Sequence, residues 1–193
     1  MGRKRSLVFG VGLNDGEYTS YTLVSGKRFR CPFYSRWNSM LKRCYSKKYH
    51  CDRSTYIDCS VCDEWLTFSN FKKWMGLHDW KGKHLDKDIL VKGNKVYSPE
   101  FCLFVDHAVN NFTTDHGSAR GDCMIGVHIH KQSGKFVAQC CNPFNKKGEC
   151  LGYFDAELDA HLAWKNRKHE LSCQLANLQT DERLANALRY RYA

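Results

Sequence analysis

No run of apolar residues in this chain is long enough to span a bilayer, so a membrane partner is not expected. The start, Met1-Gly2-Arg3-Lys4-Arg5-Ser6-Leu7-Val8-Phe9-Gly10, has a basic head but lacks the sustained apolar core of a secretory leader. Carboxylates are scarce beside cations. There are 20 Asp and Glu against 30 Lys and Arg, a net charge of +10 and a pI of about 9.1. A balance this basic suits a polyanionic partner, of which nucleic acid is the commonest. Tidy thiol pairing is also missing: the cysteines number eleven, an odd count, and Cys140 and Cys141 are adjacent. Without a leader, reduced thiols in a cytoplasm are expected rather than a disulfide framework. A second C-x-x-C is absent too. The single one, Cys59-Ser60-Val61-Cys62, lacks the strand-to-helix setting of a redox pair. It could be half of a structural Zn2+ site, with Cys31, Cys44 or Cys51 supplying the rest. The competing reading is buried free thiols, and Cys44 also fits the apolar stripe of a helix.

What is present is enough to fold. Hydrophobic residues make up 42% of 193 and aromatics 13%, sufficient for one medium domain or two small ones. Residues 10–26 read as a short β segment with turns, Asp15-Gly16 among them, and Lys27-Arg28-Phe29-Arg30 as a basic run usable for phosphate contact. Cys31-Pro32 opens a helix whose Tyr34, Trp37, Leu41 and Cys44 step by three or four. A second helix is predicted from Trp65 to Met75, with Phe68, Phe71 and Met75 inward.

The chain is organised around residues 83–112. His84 to Val91 alternates, which puts Leu85, Ile89 and Val91 on one face and His84, Asp86 and Asp88 on the other. Lys92-Gly93-Asn94-Lys95 is a basic turn, Phe101 to Val105 can pair back as a second strand, and Asp106 can cap a helix carrying His107, Asn110 and Asn111. A strand pair with a carboxylate, followed by a helix with an amide, can cradle one hard cation.

Leu85-Asp86-Lys87-Asp88, then Tyr97-Ser98-Pro99-Glu100-Phe101-Cys102-Leu103-Phe104-Val105, then Asn110, resemble the HNH, or ββα-metal, nucleases in the form found in bacteriophage homing endonucleases. The helical stretch from Tyr34 to Trp74 resembles their lead-in, so the likeness covers about residues 31–111. It implies a phage-encoded endonuclease working in the host cytoplasm, hydrolysing phosphodiester bonds of double-stranded DNA with Mg2+ or Mn2+ held by Asp86 and Asn110. It also implies backbone contacts from Lys92 and Lys95. Two residues depart from the family pattern: Lys87 stands where a general-base His is usual, and Phe101 where an Asn is usual. The base therefore stays open among Lys87, His84 and Asp88. His84 has the better intrinsic pKa and shares a face with Asp86, whereas Lys87 would need its proton affinity depressed by burial or by the metal.

Beyond Ser118 the pattern becomes three strands and a helix. Met124 to His130 alternates, with Ile125, Val127 and Ile129 on one face. Lys131-Gln132-Ser133-Gly134 is a hairpin turn. Lys135 to Cys141 alternates again, with Phe136 and Ala138 inward, and Glu149 to Phe154 is the third strand. Asp155 is predicted to cap a helix with Ala156, Ala160 and Ala163 on one stripe and Leu158 and Leu162 beside it. Gly126-Val127, Ser133-Gly134-Lys135-Phe136-Val137-Ala138-Gln139 and Leu151-Gly152-Tyr153-Phe154-Asp155 resemble the plant ethylene-response-factor (Apetala-type) DNA-binding domain. The likeness implies a sheet laid in the major groove, with His128, His130, Lys135 and Gln139 outward and Arg120 nearby. Few arginines stand on this sheet, so strong base discrimination is not expected. A last helix from Thr180 carries Leu184, Ala187 and Leu188 on one side and Arg183, Arg189 and Arg191 on the other.

The fold expected is α+β. Residues 1–30 form a β segment and 31–117 a helical lead-in with the nuclease finger. Residues 118–175 form a three-stranded antiparallel sheet with one packed helix, and 176–193 a basic C-terminal helix. The rival to an active nuclease is a catalytically inactive DNA-binding protein on the same scaffold.

Overall fold

The computed structural model describes residues 6–16, 20–114 and 122–193. The chain is α+β and divides into two compact units, residues 1–105 and residues 106–193. Among the described residues no helix is long and apolar enough to cross a membrane.

The first unit begins with a loop bridged at Val8 and Gly12. A hairpin follows, β1 (Tyr21–Val24) and β2 (Lys27–Arg30). Helix α1 (Pro32–Tyr45) starts on a proline, which is pre-set for the first helical turn, and buries the expected face: Trp37, Met40, Leu41 and Cys44. A short α2 (Lys47–Asp52), capped by the Ser46 hydroxyl, and a 3-10 turn at Ser54–Tyr56 lead to β3 (Ser60–Val61).

The helix predicted over 65–75 is two helices, α3 (Asp63–Leu66) and α4 (Phe68–Gly76). The break at Thr67 has a tertiary cause. Leu13 lies alongside, its N–H donating to Leu66 C=O (2.8 Å) and its C=O accepting from Phe68 N–H (3.0 Å). These bonds hold Thr67 extended, at φ −93° and ψ 124°. The inward set is as predicted, with Phe68, Phe71 and Met75 buried beside Trp65.

Strand β4 is His84–Asp86, shorter than the eight residues that alternation suggested. Asp86 ends it: its Oδ1 accepts from the backbone N–H of Asp88 and of Ile89, both at 2.8 Å, and folds the chain into a turn. Val91, expected inward, is therefore exposed. Strand β5 (Val96–Tyr97) pairs in parallel with β3, and β6 (Leu103–Val105) pairs antiparallel with β4, Asp86 opposite Leu103 and His84 opposite Val105.

The second unit opens with α5 (His107–Thr113), whose N-cap is Asp106, though without a side-chain bond. Strands β7 (Val127–Ile129), β8 (Phe136–Cys141) and β9 (Gly148–Phe154) form an antiparallel sheet in that order. Helix α6 (Glu157–Ala176) packs on it, and α7 (Glu182–Tyr190) packs on α6, where Ser172 Oγ donates to Leu188 C=O (2.7 Å).

Several expectations here need correcting. The N-cap of α6 is Ala156, and Asp155, the expected cap, instead pairs with Lys135 (3.0 Å). The buried stripe of α6 runs through Ala160, Trp164, Lys168, Leu171 and Leu175, while Leu158 and Leu162 are exposed. In β8 Ala138 is buried inward as expected, and Val137, on the opposite face of this central strand between His128 and Tyr153, is buried as well. Ile129 is exposed, and Ala185 rather than Ala187 joins Leu184 and Leu188 in the core. Gly126 is obligatory. Its φ is +81°, and a Cβ there would overlap the Trp164 ring.

Candidate active site and DNA-facing surfaces

The finger's chemistry is concentrated where β4 ends. Cross-strand partners share a face, so His84 and Asp86 stand beside the buried aliphatics Val105 and Leu103. Burial raises the Asp86 carboxyl above its ordinary value, and the neighbouring Asp88 carboxylate adds to the shift. The two backbone N–H bonds work in the opposite direction and fix where the carboxylate points.

Lys87 faces the other way and is buried. Its ammonium donates to Asn94 C=O (2.8 Å) and to Asp88 Oδ2 (3.3 Å), and lies 6.0 Å from the Tyr97 ring centroid. Sequence reasoning treated Asn94 only as a turn residue, but it is the clasp of this loop. Its Nδ2 donates to Lys87 C=O (2.6 Å) and Val96 C=O (2.7 Å), and its Oδ1 accepts from Val96 N–H (3.2 Å). Lys92 and Lys95 are exposed on the same loop, with the Lys95 ammonium on Thr55 C=O (3.0 Å). The structure thus gathers Asp86, Lys87 and Asp88 on one short turn, with His84 two residues upstream of Asp86.

Asn110 lies on α5, which belongs to the second unit; its backbone C=O accepts from the hydroxyls of Thr113 and Thr114. His107, on the exposed first turn of the same helix, has its Nδ1 3.2 Å from Asn111 Nδ2.

The cysteines weighed for zinc are dispersed in role. Cys31 is the N-cap of α1, Cys44 sits on its buried face, Cys59 precedes β3, and Cys62 is the N-cap of α3. Burial pushes the Cys44 thiol up to about 12 and raises Cys59 and Cys62 as well. Among the described residues no group of three or more His, Cys, Asp or Glu is arranged to hold a metal ion.

On the sheet of the second unit, His128, Val137 and Tyr153 are cross-strand partners and share a face. His128, Gln139 and Tyr153 are exposed there. His130 meets the Tyr153 ring edge-on at 5.3 Å, with its Nδ1 2.9 Å from Ser133 Oγ. Lys135 shares its charge with Asp155. Arg120 lies outside the described residues.

Sequence reasoning missed one further cluster. Lys168 is buried on the apolar stripe of α6. Its ammonium donates to Phe112 C=O (2.6 Å) and stands 3.4 Å from the Phe112 ring centroid and 4.9 Å from that of Tyr192. Tyr192 Oη donates to the same carbonyl (3.2 Å), and Arg191 to Thr113 C=O (2.9 Å). Two cations and a hydroxyl thus close the C-terminal end of α5, where helix carbonyls lack partners. The legible signal was a lysine four residues after Trp164 in an otherwise apolar row.

Comparison of the chain with protein-family models, with curated proteins and with solved structures finds no match.

Proposed function

We propose that this chain is a metal-dependent endonuclease of duplex DNA, acting at the turn that ends β4. The observation that carries the reading is the turn at Asp86. Its carboxylate is aimed by the backbone N–H groups of Asp88 and Ile89, which places a second carboxylate, Asp88, two residues on in the same turn of a chain of net charge +10. Carboxylates in such proximity repel when ionised, and a hard cation between them relieves that repulsion. An all-oxygen set of one or two carboxylates suits Mg2+ or Mn2+, so Asp86 and Asp88 are the residues that would hold it. A bound divalent ion supplies charge neutralisation at the phosphate and help for the leaving oxygen. The protein's own part is to orient Asp86 and to supply a base. Lys87 is engaged as a donor to Asn94 and Asp88, which favours His84, on the face of Asp86, for taking a proton from water.

The second reading, DNA binding without cleavage, is favoured by that same engaged lysine at the family's base position. Nicking of supercoiled plasmid with Mg2+ or Mn2+ separates the two. Asp86→Ala is expected to abolish nicking while DNA binding persists. His84→Ala is expected to lower the rate by about two to four orders of magnitude. Full activity in Asp86→Ala sinks the nuclease reading, and inactive wild-type protein with both metals favours the second.

A further inference from the structure

The β1–β2 hairpin has no place in the chemistry above, and its surface is unlike that of a structural element. Its loop, Ser25-Gly26, has φ of +49° and +74°, the two-residue turn that matches strand twist, and Cys31 N–H closes the base on Ser20 C=O (2.9 Å). Every residue of β2 is exposed, as is Leu23 of β1; Leu23 shows 65% of its surface and Phe29 shows 53%. A two-stranded ribbon by itself is marginal in water.

The register places its charges. Tyr21 is opposite Arg30 and Leu23 opposite Arg28, so both arginines stand on one face, two residues apart. The Arg28 guanidinium lies 4.4 Å from the Tyr21 ring centroid, which props it upright on that face. The surrounding sequence is one-signed. Between Glu17 and Asp52 there is no carboxylate at all, whereas Lys27, Arg28, Arg30, Lys42, Lys47 and Lys48 are all exposed cations. Within the ribbon itself no side chain is anionic.

We infer that the β1–β2 ribbon is a DNA-docking arm, its Arg28–Arg30 face seated on the phosphate backbone of duplex DNA. The occupant is fixed by charge complementarity: a carboxylate-free cationic ribbon fits a regularly spaced polyanion, and the major groove admits a two-stranded ribbon. The inference rests on the DNA-directed reading above but does not depend on cleavage.

The test is duplex binding by the full chain across a salt series, comparing wild type with Arg28→Ala/Arg30→Ala and Arg28→Lys/Arg30→Lys. The double alanine variant is expected to bind about tenfold or more weakly at low salt. Its log–log salt slope should be shallower by about two, one for each phosphate that is no longer neutralised. The double lysine variant should keep the slope. Both should melt with the wild type, because the altered side chains lie on the surface. Wild-type protein that binds duplex with salt sensitivity, beside an alanine variant of unchanged affinity and slope, overturns the arm while leaving DNA binding intact. Wild-type protein without duplex affinity overturns both readings. Arginine-dependent binding to phosphatidylserine vesicles with an unchanged DNA slope assigns the ribbon to a membrane surface and likewise overturns the inference.

Discussion

At the scale of the residue, Asp86 is a destabilising group held in place. Its raised pKa means that the folded protein binds the proton more tightly than the unfolded chain. The stability this contributes is present below the unfolded carboxylate value and is lost as pH rises through the folded one. Asp86→Asn keeps an oxygen acceptor for the Asp88 and Ile89 N–H groups and removes the charge. In EDTA near neutral pH the variant is therefore expected to melt above the wild type, with the gap closing on acidification; differential scanning calorimetry at two pH values reads both. Adding Mg2+ should raise the wild-type melting temperature and leave that of Asp86→Asn unmoved. A wild type indifferent to Mg2+ removes the metal from this turn. Asp86 and His84 were legible in the sequence because strand alternation puts them on one side. The fate of Lys87 was not, because its main acceptor is the backbone carbonyl of Asn94, and a carbonyl is common to every residue.

Elements were legible in proportion to how local their causes are. Helix α1 and strands β8 and β9 were all readable, since their apolar spacing repeats over several residues. The β3–β5 pair spans two residues on each strand, too few for a period, and the break at Thr67 depends on Leu13, far away in sequence. Helix α5 is seven residues long, short for a helix to persist by propensity, and its C-terminal end is closed by Lys168, Arg191 and Tyr192. Lys168→Met leaves the Phe112 carbonyl to Tyr192 alone and should lower unfolding free energy by about 1–3 kcal/mol in a urea titration. Gly126→Ala should cost more than a surface substitution by a wide margin, because the side chain would need both a strained φ and the space of the Trp164 ring. The same caps bear on fragments. A piece ending at residue 173 cuts α6 short and strips α7 from it, whereas residues 106–193 retain both helices and the residues that cap α5. The longer fragment is expected to give dispersed amide resonances and the shorter one to lose that dispersion.

For the whole molecule, the charge balance sets the expected mode of binding. The outward sheet face offers His128, Gln139 and Tyr153 rather than arginines, so affinity for duplex should come mainly from backbone charge. The log–log salt dependence of wild-type binding is expected to have a slope of about −3 or steeper, with little preference among sequences. A salt-insensitive affinity removes the electrostatic basis. The cysteines, finally, give the chain a pair of built-in clocks. Cys44, Cys59 and Cys102 are sealed in the first unit and Cys140 in the second, while Cys51, Cys141 and Cys150 are open to solvent. Burial holds the Cys44 and Cys102 thiols up to about 12, so an alkylating pulse reaches them only when their own unit opens. Mass spectrometry of pulse-labelled peptides along a denaturant ramp would then time the loss of each half of the native chain separately, with no foreign probe introduced.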